Sequence, residues 1–182
     1  MPQGSFSIQP FEAKRVRCES TRSFDEVLLN LQKLVGTTEH MDVLQGLSES
    51  NREHYEKVVQ SQLGESGFML FLSIDHGEWL PVFGIQRKVV RWIFGNPLIA
   101  ITMLRHDITA GLFAPVELLL FENESGGGST VVYDLPSSLM VIERNPALLA
   151  AAEVLDRKVQ TLVSRVTGVA MDRAPEQMDH QN

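Results

Sequence analysis

Residues 68–84, FMLFLSIDHGEWLPVFG, and residues 89–122, VVRWIFGNPLIAITMLRHDITAGLFAPVELLLFE, decide how this chain folds. Residues 68–74 are too continuously apolar for a half-exposed strand. With Gly67 and Gly77 bounding them, they read as a buried central strand rather than a short helix. Residues 89–94 have the β-branched and aromatic content of a second strand, which Gly95-Asn96-Pro97 breaks. Between the apolar runs stand Asp75, His76, Glu78, Asn96, Arg105, His106 and Asp107, so any site is expected in this region.

C-terminal to this stretch, Asn96 as N-cap and Pro97 in the first turn predict a short helix through Leu98, Ile101, Thr102 and Arg105. Residues 116–122 and 130–134 read as strands joined by Asn-Glu-Ser-Gly-Gly-Gly, whose glycines permit the positive φ angles of a hairpin loop. Asn145-Pro146 opens a long helix. Its stripe of Leu148, Leu149, Ala152, Leu155, Val159, Leu162, Val163 and Val166 must cover a sheet or a partner.

On the N-terminal side, residues 14–20 alternate weakly and predict a strand. Ser23-Phe-Asp-Glu26 is a capping box, with Val27, Leu28, Leu31, Leu34 and Val35 on one helical face and Gly36 available for a left-handed exit. Residues 37–50 are polar and interrupted, with Met41, Leu44 and Leu47 as one or two helical turns. A second capping box, Ser50 to Glu53, opens a helix bearing Tyr55, Val58, Val59 and Leu63 on one face and ending at Gly64. Residues 78–83 add a helical turn.

The order β-α-(α)-β-β-α-β-β-α, closing on a hairpin, predicts an α+β two-layer sandwich, a mainly antiparallel sheet with helices packed on one face. One domain over residues 14–170 is expected, with a flexible segment at 1–13 and a disordered tail at 171–182. No glycine-rich phosphate fingerprint follows a strand, so a dinucleotide site is not predicted, nor is a cofactor.

The 182 residues, 43% hydrophobic and 21% charged, suit a globular domain. A formal net charge of −7 works against binding nucleic acid, whose affinity comes from basic groups neutralising phosphates. Arg87, Lys88 and Arg91 are the densest basic cluster in mid-chain and read as a solvated strand edge or turn. The single cysteine, Cys18, excludes an intramolecular disulfide and every multi-cysteine zinc arrangement, and reads as a small buried hydrophobe in a reducing compartment. No apolar run approaches the roughly 18 residues that cross a bilayer, and the polar start lacks a signal-peptide core. A cytoplasmic protein without membrane contact is expected.

The residues also resemble a family. Ser23 to Glu26, Gly67 to Asp75 (Gly-Phe, then Ile-Asp), Gly95-Asn96-Pro97, Gly111 to Leu120 (Gly-Leu, then Pro-Val-Glu-Leu-Leu-Leu) and Tyr133 to Pro136 follow one another as in the domain-of-unknown-function family 302. The resemblance runs from Val16 into the helix after Pro146. It implies a compact two-layer α+β fold of small, commonly dimeric proteins without an established activity. Many bacterial members carry a cysteine before Asn-Pro, where this chain has Gly95, so thiol chemistry does not carry over; the segment 37–51 is longer than in short members.

The sharpest constellation is Asp75-His76-x-Glu78 at a strand end, where a carboxylate can orient an imidazole as general base beside a second acid. Arg105-His106-Asp107 is free to fold toward the same pocket, making His106 a fourth candidate acid or base. In structural terms Asp75 caps the turn, His76 bonds a carbonyl, and Arg105 pairs with Asp107 or Asp75. The histidine spacing matches no zinc signature, so no metal is predicted. Trp79, Trp92, Asn96, Arg105 and Phe113 are the candidate ligand contacts. The leading expectation is a homodimer that binds a small apolar or aromatic molecule. The alternatives are a cofactor-independent lyase, isomerase or hydrolase using Asp75, His76, Glu78 and His106, and a structural or interaction module. All depend on the two histidine-bearing turns meeting at one hollow.

Overall fold

In a computed structural model describing residues 4–37, 51–124 and 127–170, a six-stranded sheet carries helices on one face, the expected α+β sandwich. The elements are β1 (Arg15–Ser20), α1 (Phe24–Leu34), β2 (Gly36–Thr37), α2 (Arg52–Gln62), β3 (Met69–Asp75), β4 (Val89–Gly95), α3 (Pro97–Leu104), β5 (Val116–Glu122), β6 (Ser129–Asp134), α4 (Pro136–Met140) and α5 (Pro146–Thr167). Among the described residues two 3₁₀ segments, Leu80–Phe83 and Ile108–Phe113, lie in the connections. The strand order is β1-β6-β5-β4-β3-β2, antiparallel except for the parallel β2/β3 pair.

Alternation sorts the sheet faces. Val90, Trp92 and Phe94 of β4 and Val116, Leu118 and Leu120 of β5 turn to the helices and are buried. Arg91 and Ile93 with Glu117 and Leu119 fall on the opposite face, which α4 borders through Pro136 and Leu139. The core runs from Cys18 in β1 to Val166 in α5. The predicted stripe on α5 is buried except for Leu149, which is 40% exposed, so this helix covers the chain's own sheet.

Local signals set most of the helix starts. Both arms of the Ser23/Glu26 capping box form, and the Ser23 amide holds the Glu26 carboxyl below its usual range. Asn96 Oδ1 accepts the Leu98 N–H at 2.8 Å with Pro97 in the first turn. Asn145 does the same for Leu148 at 3.1 Å. For α2 the cap is Asn51, which accepts the His54 N–H at 2.9 Å; Ser50 and the Met41, Leu44 and Leu47 cluster lie outside the described residues, as does the segment 171–182.

Two expectations are corrected. β3 is not a central buried strand: it stands next to last in the strand order, only Met69 along it is buried, and Leu72 is 49% exposed. Nor does Gly36 end α1 in a left-handed turn, since Val35 caps that helix in an extended conformation. Gly36 and Gly64 serve a close crossing of backbones. A Cβ on Gly36 would stand 2.0 Å from the Gln62 carbonyl oxygen, and one on Gly64 would stand 2.3 Å from the Leu34 carbonyl oxygen. The N–H groups of both glycines donate to the Phe68 carbonyl at 2.9 Å.

The N-terminal segment crosses the far end of the sheet. The Phe11 ring meets Phe113 edge-on at 6.3 Å, and the Lys14 N–H donates to Ser138 Oγ at 2.9 Å.

Candidate functional site

The two histidine-bearing turns do not meet. The His76 N–H donates to the Val89 carbonyl at 2.9 Å, which places His76 where β4 begins. His106 follows α3, which leaves the other end of β4, and its carbonyl accepts from Asn145 Nδ2 at 3.3 Å at the start of α5. The strand between these ends has seven residues, about 20 Å at roughly 3.3 Å each.

Each turn also has local work. Asp75 Oδ1 accepts the Gly77 N–H at 2.8 Å and so caps its turn, while the His76 ring lies edge-on to Trp79 at 5.7 Å. Glu78 is exposed beside them. Asp107 takes the Thr109 hydroxyl at 2.7 Å and its N–H at 2.8 Å, which lowers the carboxyl pKa. The expected ion pair of Arg105 with Asp107 or Asp75 gives way to a bond from Arg105 Nε to the Ile101 carbonyl at 3.1 Å, closing its own helix. Among the described residues no three of His, Cys, Asp and Glu gather as a metal would require.

The predicted ligand contacts are dispersed as well. Trp92 is 2% exposed and helps line a groove between α1 and β3 that also includes Asp75. Phe113 borders a separate groove of about 530 Å³ on the sheet face turned away from the core, floored by Leu119 and Val132 and edged by the Arg15–Asp134 pair and by Leu139 of α4. Trp79 is 47% exposed at the β3/β4 connection, close to exposed Val82 and Phe83.

Asn96 lines a smaller space. A pocket of about 180 Å³ lies between α3 and the ends of β4 and β5, walled by Phe71, Ile99, Met103, Pro115 and Leu155. Asn96 Nδ2 donates to the Gly67 carbonyl at 3.0 Å while its Oδ1 caps α3, so both ends of the amide are used in holding the rim. A Cβ on Gly95 would meet the Phe71 ring and Pro115 at 3.3 Å, so the glycine keeps the floor clear. All the wall residues except Leu155 come from the region where a site was expected. Their apolar periodicity is indistinguishable from core, and only the Gly95-Asn96-Pro97 break marks them in the sequence.

Below the sheet, a buried polar cluster went unpredicted. Asp156, 9% exposed on α5, accepts the Ser137 N–H at 2.9 Å; burial raises its pKa. The Tyr133 hydroxyl is buried without a hydrogen-bond partner among the described residues, and burial, with Asp156 and Cys18 nearby, raises its pKa too. Cys18 is buried as expected, with Sγ donating to Thr167 Oγ1 at 3.4 Å.

No curated protein matches the sequence. The fold is similar to that in the crystal structure of an uncharacterized conserved DUF302 protein from Bacillus stearothermophilus, with a TM-score of 0.58 at 16% identity over 84% of this chain and 97% of that one. At that identity the likeness concerns architecture alone. The sequence itself fits the profile described as Domain of unknown function DUF302 over residues 45–166, from the segment before α2 to the last turn of α5. With that match spanning most of the sheet and its covering helices, the chain belongs to the DUF302 family.

Proposed function

We propose that this chain binds a small apolar or aromatic molecule in the pocket between α3 and the ends of β4 and β5, as a cytoplasmic homodimer. The pocket's composition carries the reading. Its walls are aliphatic and aromatic, and the one polar side chain at its rim, Asn96, has both amide ends engaged. A ligand there would gain by leaving water rather than by hydrogen bonding. Cavities of about 150 Å³ with such linings hold benzene-sized molecules.

The test is thermal unfolding with indole or naphthalene as probes. Binding at ten times Kd adds about 1.4 kcal/mol, a rise of about 3–6 °C in Tm for a chain of this size. Ala100, half-buried on the pocket wall, offers the control: Ala100→Phe fills the space and is expected to abolish the shift. A shift that survives Ala100→Phe rejects this pocket.

The dimer is supported by the sheet face turned away from the core, where half-buried Ile93, Leu119 and Val132 lie among the cross-strand pairs Arg91–Glu117 and Arg15–Asp134. Such a face, half apolar and equal in positive and negative charge, suits an isologous contact. Sedimentation at micromolar concentration should give twice the chain mass, and Leu119→Glu should return it to one. A monomeric parent chain would reject the assembly.

The enzyme alternative needs His106 beside Asp75, His76 and Glu78, and the length of β4 separates them. Among the described residues no helix is long and apolar enough to cross a membrane.

A further inference from the structure

The basic cluster visible in the sequence is neutralised in the fold. Arg87 pairs with Glu124 at 3.1 Å, Lys88 with Asp25 at 2.5 Å, and Arg91 with Glu117. A different concentration of positive charge arises where α5 passes the turn at residues 64–67. Arg157, Lys158, Thr161 and Arg165 fall on one helical face, three or four residues apart with Arg157 and Lys158 adjacent, and line a hollow of about 360 Å³ with Glu65 and Ser66. Three cations thus face a single carboxylate. Arg165 already holds Glu65 at 2.6 Å, while neither Arg157 nor Lys158 has a carboxylate within 4.0 Å among the described residues. Asp156, the neighbour of Arg157, turns its carboxylate inward to the Ser137 N–H.

The turn lets the cations gather. Gly67 has φ +77°, and the Lys158 Nζ lies 3.6 Å from where a Cβ on Gly67 would stand, so the ammonium lies over the turn. Ser66 Oγ accepts the Phe68 N–H at 3.3 Å, which leaves its own hydrogen free to donate into the hollow. The surroundings are otherwise acidic, with a net charge of −7 over the chain, so a local excess of two positive charges is not part of a general basic surface.

From this we infer a second binding site, distinct from the apolar pocket: the hollow between α5 and the turn at residues 64–67 takes a phosphate group, held by Arg157, Lys158 and Arg165 with the Ser66 hydroxyl. A dianion matches the excess charge. The guanidinium of Arg157 supplies paired donors to two oxygens, and Lys158 supplies a point charge. The inference stands apart from the apolar-ligand reading, since the two spaces share no wall residue.

Inorganic phosphate titrated against chloride at constant ionic strength, followed by backbone amide NMR, tests it. Saturable shifts confined to residues 64–67 and 157–165 are expected. Arg157→Gln and Lys158→Gln, both exposed positions, should each weaken the affinity about tenfold without moving the melting temperature, as loss of one charge-assisted contact requires. Ala100→Phe should leave phosphate binding intact, separating failure here from failure of the apolar pocket. Phenyl phosphate binding more tightly than inorganic phosphate assigns the hollow to a monoester, and equal binding to the free ion; either outcome supports the site. Shifts that grow linearly, that spread equally to Arg15 and Arg87, or that saturate at the parent's affinity in Arg157→Gln overturn it.

Discussion

Gly36→Ala is expected to destabilise the protein by roughly 3–5 kcal/mol, the range reserved for changes that force the backbone apart. The added methyl group would lie 2.0 Å from the Gln62 carbonyl oxygen, 2.5 Å from the Gly64 nitrogen and 2.8 Å from the Leu63 carbonyl carbon. All three atoms are main chain, so no rotamer change can relieve the overlap. Relief requires moving the exit of α1 away from the exit of α2, and with it the Phe68 carbonyl that accepts the N–H of both glycines. Gly64→Ala should behave alike, because each glycine fills the space the other leaves. Glycine's conformational freedom is not the cause, since neither residue has positive φ. Gly127→Ala serves as the control: nothing stands within 4 Å of that position, and a change within about 0.5 kcal/mol is expected. Urea unfolding of the three variants decides it, and a Gly36→Ala midpoint equal to the parent's would show that the crossing can open.

That crossing illustrates which parts of the fold could be read from the sequence. Signals confined to a few neighbouring residues were legible: the Ser23/Glu26 box, Asn96 before Pro97, the glycine-rich hairpin after β5, and the stripe on α5 all act locally. Gly36 and Gly64 looked like ordinary helix stops because the contact joining them spans the chain between two helices. β3 looked central because a continuous apolar run says nothing of which strands lie beside it. Its Leu72 is half-exposed, and the described pairing on its outer side reaches only Met69 and Leu70. Asp156 was hidden for a similar reason: a carboxylate on an amphipathic helix reads as solvated unless a donor such as the Ser137 N–H is known to wait inside.

The site followed the same division. The region at residues 68–122 does supply nearly the whole apolar pocket, but the polar residues that drew attention there cap turns and helix ends instead of converging. Residue type alone cannot distinguish a carboxylate that caps from one that reacts, because both favour strand and helix ends. The hollow on α5 had a sequence signal in its periodic Arg157, Lys158 and Arg165. Its meaning depended on finding those cations unmatched, whereas Arg87, Lys88 and Arg91 each had a carboxylate brought to them by another element.

Leu155→Ala should then separate packing from binding at the apolar pocket. Leu155 is 3% exposed and belongs to both the core and the pocket wall, so its truncation removes buried methyl groups and enlarges a space that already exists. A cost of about 2–4 kcal/mol is expected, since the surrounding α5 and sheet can collapse only in part. If the pocket is ligand space, the enlarged cavity should take a two-ring probe such as naphthalene more tightly than the parent does. The probe should then restore more stability to the variant than it adds to the parent, because a ligand that binds only the folded state stabilises it in proportion to the logarithm of its occupancy ratio. Urea unfolding with and without naphthalene measures both quantities. A variant that loses the expected stability yet gains nothing from the probe would mean that Leu155 only fills the core, and that the hollow beside Asn96 is a packing defect with no ligand to hold.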